Sequence, residues 1–330
     1  MNNRQHVAYN SHMKVLITGI AGFIGSNLAE RCLKEGWEIT GVDDFSNGHR
    51  EFLPNSDSVC FYASDFADDH VLQMIRDEKF DVVFHLAANP RVSYSVEHPF
   101  ETNDVNVTKT LRLLDACRGN IKRFVFASSS AVYGQASSLP TGVSAEKKPN
   151  SPYGLQKSII EDYLTLYHTL YQFESVALRF FNVFGPNQLG GSPYSCAVSA
   201  WLTAIKNERP CRSDGDGSQT RDMCHVDNVI EACVLAAKSL EPLKAQRLNV
   251  ATGVSISNAD ILRVLLAHYK TAYAVEAPWR SGDVMHTLAD ITQTTAVLGY
   301  MPVKDVGEGI IETIRWYDLN WDTIKDMVSM

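Results

Sequence analysis

Residues 14–25 read KVLITGIAGFIG, a short aliphatic run followed by a turn in which glycine recurs at every third position. Glycines at 19, 22 and 25 let the backbone turn tightly and approach a pyrophosphate, whose charge is favoured at the N-terminus of a helix. Apolar residues at 24, 28, 32 and 33 then recur at helical spacing, and Gly36 stands where that helix should end. The stretch predicts a strand, a phosphate-binding turn and a helix, although an isolated turn of this kind can also bind nothing.

The alternation of strand and helix continues through the first half of the chain. Strand-like runs follow at 38–42, 81–86, 123–127 and 176–180, with helical patterns between them. This order predicts an α/β fold with a Rossmann-type doubly wound parallel sheet. Turn-rich segments interrupt the pattern after Phe181. We therefore expect a nucleotide-binding domain over 13–180 and, over 181–330, mainly a smaller, mixed substrate lobe with some segments that return to the first domain.

The composition argues against several classes of function. The 330 residues carry 30 basic and 38 acidic side chains, a net charge of −8, so nucleic acid is not an expected partner. The apolar runs are of strand length, too short to span a membrane. The seven cysteines include no C-x-x-C pair, which predicts reduced thiols in a cytoplasmic protein and no metal site. Residues 1–12 are polar and lack the apolar core of a signal peptide, so we interpret them as a disordered leader.

Acidic residues at strand ends are candidates for recognising the adenosine half of a dinucleotide. Asp43 ends the second strand, 18 residues after Gly25, where a carboxylate can accept hydrogen bonds from ribose hydroxyls. Its charge would repel a 2′-phosphate, so the sequence favours NAD over NADP. Asp65 follows the next strand-like run and could accept from the adenine amine, although a solvated surface aspartate fits that position nearly as well.

Tyr153 and Lys157 form the pattern Y-x-x-x-K, whose position in the chain gives it meaning. Ser151 and Pro152 supply an N-cap and a first-turn proline, so a helix should begin there with the two side chains one turn apart. A nearby ammonium, together with the positive nicotinamide ring, would lower the tyrosine pKa toward that of a usable general base. Serines 128–130 directly follow a predicted strand, where a hydroxyl can bond the reacting oxygen. Taken alone, Tyr153 and Lys157 could be an exposed pair on a helix, and the three serines could be a serine-rich loop.

With these motifs in place, the sequence resembles the NAD-dependent epimerase/dehydratase family, the extended short-chain dehydrogenases that act on nucleotide sugars. The resemblance covers nearly the whole chain after residue 13. Its motifs are TGIAGFIG at 18–25, HLAA at 85–88, SSSAVYG at 128–134, SPYGLQK at 151–157, RFFNVFGP at 179–186, GDGSQTRD at 215–222 and RSGDV at 280–284.

The resemblance implies a role for each residue that matches a family motif. The implied catalytic residues are Ser129, three residues before the V-Y-G triplet, with Tyr153 and Lys157. The residues expected to hold tightly bound NAD, including those argued above, are Gly19, Gly22, Phe23, Ile24, Gly25, Asp43, Asp65, Phe66, Leu86, Ala87, Ala88, Asn106, Tyr153 and Lys157. The residues expected to contact a nucleotide-sugar substrate are Ser129, Ser130, Tyr153, Asn182, Arg221, Arg280, Asp283 and Thr287.

The residues beside Ser129 bear on the type of reaction that the resemblance implies. Family dehydratases and decarboxylases carry acidic residues between the catalytic hydroxyl and V-Y-G, whereas this chain has Ser130 and Ala131. The better match is a UDP-hexose 4-epimerase, in which NAD takes the C4 hydride, the 4-keto sugar rotates and the hydride returns to its other face. Thr287 stands where narrow galactose enzymes carry a bulky tyrosine, which favours UDP-GlcNAc and UDP-GalNAc over UDP-glucose and UDP-galactose.

Other interpretations remain open. The substrate could equally be UDP-glucuronate, because the Thr287 hydroxyl can bond its carboxylate. The enzyme could instead be a nucleotide-sugar 4-reductase or dehydrogenase, which would release its cofactor. A third class of protein is a non-catalytic NAD-binding regulator. Residues 212–214 read RSD where relatives often place a residue that packs on the base, which leaves uridine recognition open. The family usually forms homodimers through the helices that flank the tyrosine. The apolar stripe there could also face the chain's own core; its members are Ile159, Ile160, Tyr163, Leu164 and Tyr167.

Overall fold

Seven parallel strands form the central sheet of the computed structural model, which describes residues 12–191, 196–279 and 284–328. The strands, in chain order, are β1 (Lys14–Thr18), β2 (Glu38–Asp43), β3 (Val59–Ala63), β4 (Phe80–His85), β5 (Ile121–Ser129), β6 (Ser175–Phe180), β7 (Val183–Phe184), β8 (Cys211–Asp214), β9 (Thr220–Asp222), β10 (Cys224–His225), β11 (Gln246–Val250), β12 (Ser255–Ser257) and β13 (Ala274–Ala277). The order across the central sheet is β11-β6-β5-β4-β1-β2-β3. The predicted Rossmann-type α/β fold is confirmed.

The direction in which the sheet grows reverses at β1, which pairs with β2 on one side and with β4 on the other. The connections that follow the carboxyl ends of β1 and β4 therefore run in opposite directions. The crevice between these two strand ends is the usual ligand site in this class of fold. Gly19, which follows β1, and Leu86, which follows β4, both line a cavity at this place. The fold thus positions the glycine turn at the point where ligands bind.

Helices cover both faces of the central sheet. They are α1 (Phe23–Lys34), α2 (Asp69–Asp77), α3 (Val92–Glu97), α4 (Pro99–Asn103), α5 (Thr110–Cys117), α6 (Pro152–Tyr171), α7 (Ala197–Lys206), α8 (Val226–Lys238), α9 (Asn258–His268), α10 (Thr292–Leu298) and α11 (Val306–Ile324), with a π-helical turn at Asp104–Lys109 and 3-10 turns at Arg50–Phe52 and Ser130–Tyr133. One buried apolar cluster joins the sheet to α1 and α8, and a second joins its other face to α2, α5 and α6. None of the helices in the described ranges is long and apolar enough to cross a membrane.

Helices α7, α9 and α11 pack around a third apolar cluster, which includes Trp201, Ile261 and Ile314. Three small sheets accompany them, formed by β7 with β10, β8 with β13 and β9 with β12. Helix α8 and strand β11 also come from the second half of the chain, but they belong to the central sheet and its cover. The division into two lobes at Phe180 stays a prediction.

Strand β5 is longer than the sequence predicts and contains two of the three serines. Ser128 and Ser129 pair with Arg179 and Phe180 of β6, so the strand continues past residue 127 and only Ser130 lies in the following 3-10 turn. The neighbouring strand supplies partners up to that point, which is why the expected loop is a strand end. The sheet itself therefore fixes the position of the Ser129 hydroxyl.

The apolar stripe of α6 belongs to the chain's own core. Ile160 and Leu164 are fully buried in the cluster that joins α6 to the sheet, and Ile159, Tyr163 and Tyr167 are partly buried against the same cluster. Of the two interpretations that the sequence allows for this stripe, the structure favours the intramolecular one. The homodimer through this helix stays a prediction.

Candidate active site

A cavity of about 1680 Å³ runs along the carboxyl ends of the parallel strands. Its wall includes every predicted cofactor residue except Asn106, namely Gly19, Gly22, Phe23, Ile24, Gly25, Asp43, Asp65, Phe66, Leu86, Ala87, Ala88, Tyr153 and Lys157. It also includes the predicted substrate residues Ser129, Ser130, Asn182, Arg221 and Thr287. Arg280 and Asp283 lie outside the described residues, so their predicted roles stay predictions.

The glycine turn makes close backbone contacts that a side chain would prevent. Gly19 has a φ of +75°, and a Cβ there would lie 2.8 Å from the backbone nitrogen of Ala87. A Cβ on Gly25 would lie 2.0 Å from the carbonyl oxygen of Gly19. Helix α1 begins directly after Gly22, and no side chain caps its N-terminus. The first N–H groups of α1 therefore face a narrow turn that fits a pyrophosphate.

Asp43 is fixed by backbone donors from the same region. Its Oδ2 accepts a hydrogen bond from the Ala21 N–H at 2.9 Å, and its Oδ1 accepts from the Phe45 N–H at 2.9 Å. Burial raises the pKa of Asp43, while the two N–H donors act in the opposite direction. Each carboxylate oxygen keeps acceptor capacity toward the cavity, as recognition of ribose hydroxyls requires.

Two other predicted cofactor residues have their polar atoms engaged within the protein. Asp65 accepts from Lys109 Nζ at 2.6 Å and from the Ala67 N–H at 2.8 Å. Asn106 is buried away from the cavity wall, where its amide donates to the Asn89 carbonyl and to a glutamine and accepts from the Asn89 N–H. Asn106 thus fixes the segment after β4, and direct contacts of Asp65 and Asn106 with NAD stay predictions.

Tyr153, Ser129 and Lys157 meet at the centre of the cavity wall. The Ser151 hydroxyl caps α6 by accepting from the Gly154 N–H at 3.2 Å, with Pro152 in the first turn, as the sequence predicts. Ser129 lies close enough to Tyr153 for its hydroxyl to act on the Tyr153 pKa, which it lowers. Lys157 Nζ lies 5.8 Å from the centre of the Tyr153 ring. Two elements, the end of β5 and the first turns of α6, thus bring the predicted catalytic groups together.

Burial shifts the pKa values of both members of the Tyr153–Lys157 pair. Burial raises the pKa of Tyr153, and the neighbouring Ser129 hydroxyl offsets this rise only in part. Burial also lowers the pKa of Lys157 to about 7, against the opposing charge of Glu161. In the protein alone burial dominates both shifts, because the buried ammonium loses water as the phenolate does. The expected lowering of the Tyr153 pKa by Lys157 together with the nicotinamide ring stays a prediction.

Asn182 and Thr287 come together on the substrate side of the cavity through Asp222. The Asn182 amide nitrogen donates to the Asp222 carbonyl and to Thr287 Oγ1, both at 3.0 Å. The Asp222 N–H also donates to Thr287 Oγ1, at 3.1 Å. Because Asn182 Nδ2 already serves two acceptors and Thr287 Oγ1 already accepts twice, Asn182 offers its oxygen and Thr287 its hydroxyl hydrogen to a ligand.

Asp222 is a buried residue that the sequence reasoning did not single out. Its carboxylate accepts from the Thr252 hydroxyl at 2.7 Å and from the backbone N–H groups of Thr252, Gly253 and Ala289. These bonds join β9 to two distant segments and so place Thr287. The motif GDGSQTRD contains Asp222, but a role that depends on partners 30 or more residues away leaves no local signal.

The far end of the cavity has an aromatic wall in place of the residue type expected there. Arg212 Nε pairs with Asp214 Oδ1 at 2.6 Å, and the Trp201 ring nitrogen donates to the Arg212 carbonyl at 2.7 Å. All three residues line the cavity, and so does Arg221, whose Nη1 donates to the carbonyls of Thr220 and Met285. Trp201 is thus an aromatic residue of the cavity wall that adjoins residues 212–214.

Among the residues that the structure describes, His225, Asp227 and Glu312 form a group of potential metal ligands outside the cavity. Lys304 Nζ lies 2.6 Å from Asp227 and also pairs with Glu312. An ammonium thus already occupies the position between the two carboxylates. We therefore assign this group to an ion-pair network.

Comparison with known proteins gives a consistent result along the chain. The family model described as "NAD dependent epimerase/dehydratase family" matches residues 15–251. A UDP-glucose 4-epimerase of Mycolicibacterium smegmatis is 36% identical over 319 residues, 92% of this chain and 98% of that protein. Among solved structures, a UDP-N-acetylglucosamine 4-epimerase from Methanobrevibacter ruminantium, in complex with UDP-N-acetylmuramic acid, has a TM-score of 0.88 at 34% identity, over 94% of this chain and 99% of that one. A UDP-glucuronic acid 4-epimerase from Bacillus cereus, with UDP-glucuronic acid and NAD, has a TM-score of 0.84 at 28% identity, over 93% and 99%.

Proposed function

The chain belongs to the NAD-dependent epimerase/dehydratase family, and we propose that it is a UDP-hexose 4-epimerase that keeps its NAD bound through every turnover. NAD is the cofactor of the family, and the close backbone approaches at Gly19 and Gly25 fit its pyrophosphate. Gly19, Gly22, Gly25 and the first turn of α1 would hold the pyrophosphate, and Asp43 the adenosine ribose. When bound, NAD accepts a hydride from C4 of the sugar and returns it.

The proposed roles of the catalytic residues follow from their contacts. Tyr153, as the phenolate, takes the proton of the sugar 4-hydroxyl, and Ser129 bonds the same oxygen and relays the proton. Lys157 stabilises the phenolate by its charge. After the 4-keto sugar has turned its other face to the nicotinamide, Tyr153 returns the proton. The observation that carries this proposal is that Ser129, Tyr153 and Lys157 line the same cavity as the glycine turn, with Lys157 Nζ 5.8 Å from the centre of the Tyr153 ring.

The distribution of acids on the cavity wall favours epimerisation over elimination. Within the described residues, the aspartates and glutamates on this wall are Asp43, Asp44, Asp65 and Asp214. The first three follow strands β2 and β3 on the cofactor side, and Asp214 pairs with an arginine at the opposite end. Elimination of water needs an acid and a base beside the sugar ring, and no carboxylate is adjacent to Ser129 in the sequence.

Thr287 supports substrates with an acetamido group at C2. Both acceptor sites of its hydroxyl are filled by the Asp222 N–H and the Asn182 amide, so the hydroxyl hydrogen points to a ligand as a donor. An N-acetyl carbonyl is a suitable acceptor, and threonine leaves more room for it than a tyrosine would. We therefore favour UDP-GlcNAc and UDP-GalNAc, with UDP-glucose and UDP-galactose as further substrates.

UDP-glucuronate is the second candidate substrate, and Arg91 is the observation that favours it. Arg91 lines the cavity at the start of α3, and it makes no ion pair with any residue in the described ranges. Helix α3 adjoins the catalytic tyrosine, since the Tyr153 N–H donates to Ser95 Oγ at 3.1 Å. A guanidinium at the sugar end could bind a C5 carboxylate through two hydrogen bonds. Arg91→Gln should then lower kcat/KM for UDP-glucuronate and leave kcat/KM for UDP-GlcNAc unchanged.

Two further features of the chain support its proposed assembly and location. Leu155, Leu166 and Leu170 of α6 remain exposed, as does Phe100 of α4. We propose that these side chains form the interface of a homodimer, because exposed apolar patches of this kind commonly mark association surfaces.

The state of the cysteines supports the proposed location. All seven cysteines are free, as expected in a reducing compartment such as the cytoplasm.

Conversion of UDP-sugars by purified protein, without added cofactor, tests the proposed function. UDP-GlcNAc, UDP-glucose and UDP-glucuronate are incubated separately, and the anomeric protons are followed by NMR. We expect the 4-epimer to appear, at relative rates that rank the C2 and C5 substituents. Stoichiometric formation of NADH would instead identify a dehydrogenase. No conversion even after NAD is added would point to a regulator.

A further inference from the structure

The carboxylate of Glu161 is fully buried behind the catalytic residues. Its Oε1 accepts from Ser128 Oγ at 2.7 Å and from Arg179 Nε at 2.8 Å, and its Oε2 accepts from Arg179 Nη2 at 2.7 Å. Arg247 Nε lies 3.3 Å and Lys147 Nζ 3.9 Å from Oε2. Burying a carboxylate costs folding free energy unless cations and hydrogen-bond donors surround it. These partners therefore depend on the Glu161 carboxylate, as it depends on them.

These bonds connect the two elements that carry the catalytic groups. Ser128 directly precedes Ser129 at the end of β5, and Glu161 lies on α6, the helix of Tyr153 and Lys157. A shift of α6 along β5 would break the hydrogen bond from Ser128. The bond therefore fixes the register in which Tyr153 meets Ser129.

Arg179 extends the same network into the turn that follows Ser129. Its Nη1 donates to the Tyr133 hydroxyl at 2.8 Å and to the Val143 carbonyl at 3.0 Å. The Tyr133 hydroxyl in turn donates to Asn249 Oδ1 of β11 at 2.6 Å. The turn beside the catalytic serine is thus held to two strands of the central sheet.

Glu161 also affects the charge balance around Lys157, which precedes it by one helical turn. Residues four apart on a helix lie on the same face, with their Cβ atoms about 5–6 Å apart. The other groups near Lys157 are Tyr153 of α6, Phe126 of β5 and His85 of β4. Burial lowers the pKa of His85 to about 3, so its ring is neutral. The Glu161 charge opposes the lowering of the Lys157 pKa that burial causes.

We propose that Glu161 is a positioning residue for the 4-epimerisation, which holds the strand end of Ser129 against α6 and supplies the negative charge that balances the buried Lys157 ammonium. Its catalytic meaning rests on the proposed function. The charge coupling between Glu161 and Lys157, however, acts whether or not a substrate is present.

Titration of Lys157 by ¹³C NMR, in protein labelled at the lysine ε-carbons, measures this coupling without substrate. The Lys157 signal is assigned by its absence in Lys157→Met. Glu161→Gln keeps the shape of the side chain and removes its negative charge. Arg179, Arg247 and Lys147 then lose the carboxylate that they share. We expect the Lys157 titration midpoint to fall by roughly one to two pH units, the usual effect of one close charge. An unchanged midpoint would overturn the coupling.

The pH profile of kcat/KM gives a second readout, which a purely structural role would not move. Because Lys157 Nζ lies 5.8 Å from the centre of the Tyr153 ring, we treat the two groups as one titrating pair, and the acid limb then reports the first proton that this pair loses. In Glu161→Gln the acid limb should move to lower pH by the same amount as the NMR midpoint. We also expect kcat at the optimum to fall roughly tenfold or more, because Ser129 is held less well. A lower kcat with an unmoved limb would contradict the proposed charge balance.

Glu174→Gln is the matched control for loss of a carboxylate from an ion pair. Glu174 pairs with Arg123 at 3.0 Å where β6 begins, and neither side chain lines the cavity. This variant should leave the Lys157 midpoint and the pH profile unchanged. If Glu161→Gln does not fold, the double variant Glu161→Gln/Arg179→Gln removes both charges of the buried pair, and its midpoint should move in the same direction by a smaller amount. A wild type that shows the coupling but converts no UDP-sugar would refute the proposed function alone.

Discussion

At the scale of single residues, three side chains divide the proposed proton chemistry. Burial raises the pKa of Tyr153 and lowers that of Lys157 to about 7, so in the protein alone the amine loses its proton before the phenol does. A positive charge beside the phenol favours the phenolate. We therefore expect formation of the base to accompany cofactor binding, with Ser129 holding the phenol oxygen in place.

Tyr153→Phe removes the proposed base and leaves the ring in place. We expect kcat to fall by about 10² to 10⁴, the range that a positioned proton-transfer group usually contributes. The anomeric NMR assay measures this, with retained NAD confirming that the fold is intact. Tyr269→Phe is the control, because Tyr269 bonds Asp318 and does not line the cavity. Turnover of Tyr153→Phe at the wild-type rate would exclude Tyr153 as the base.

The pH dependence of Lys157→Met tests the proposed electrostatic role of the lysine. Burial raises the Tyr153 pKa, and without the ammonium no neighbouring cation is left to favour the phenolate, so the phenol should ionise only at higher pH. We expect the acid limb of kcat/KM to lie at higher pH in Lys157→Met than in the wild type. Lys157→Arg keeps the charge and should move the limb less. An acid limb in Lys157→Met at the wild-type pH would contradict this role.

At the scale of elements, the local parts of the site could be predicted and the non-local parts could not. The glycine turn, the Ser151 cap and the Tyr153–Lys157 spacing depend on residues within one turn of each other, and the structure has them as predicted. The extension of β5 through Ser129 depends on pairing with β6. The buried carboxylates of Asp222 and Glu161 depend on partners from several elements, so no short pattern identifies them.

Gly25→Ala tests the geometry of the turn before α1. The added Cβ would lie 2.0 Å from the Gly19 carbonyl oxygen, so the turn has to open and the pyrophosphate site is lost. We expect purified Gly25→Ala to retain less than about a tenth of the wild-type NAD, as measured by absorbance after denaturation. Gly142→Ala is the control, since the nearest atoms to its added Cβ are 4.0 Å away. Full NAD content in Gly25→Ala would show that the turn does not hold the cofactor as proposed.

At the scale of the whole molecule, one cavity spans both halves of the chain. The ends of β1, β2, β4 and β5 supply its cofactor side, and Asn182, Arg221 and Thr287 supply the proposed substrate side. Asp222 joins the segments that carry these residues, so the second half of the chain is placed relative to the sheet by buried hydrogen bonds. This closed arrangement suits a reaction in which a 4-keto sugar must turn without leaving.

The proposed homodimer can be tested on the exposed face of α6. Leu166→Glu/Leu170→Glu places two charges among apolar side chains, so we expect sedimentation velocity to show a monomer where the wild type shows a dimer. Leu240→Glu, in a loop where Leu240 is 76% exposed, is the control and should leave the dimer intact. A wild-type protein that sediments as a monomer would refute this interface.

The most direct test of the account uses a UDP-sugar carrying deuterium at C4. The purified protein, with its own NAD and none added, converts the labelled substrate, and NMR and mass spectrometry locate the deuterium in the product. We predict that the 4-epimer keeps the label at C4 and that no NADH accumulates, because the hydride leaves and returns at the same carbon. Loss of the label to solvent, or NADH formed in proportion to product, would contradict epimerisation by oxidation and re-reduction at C4.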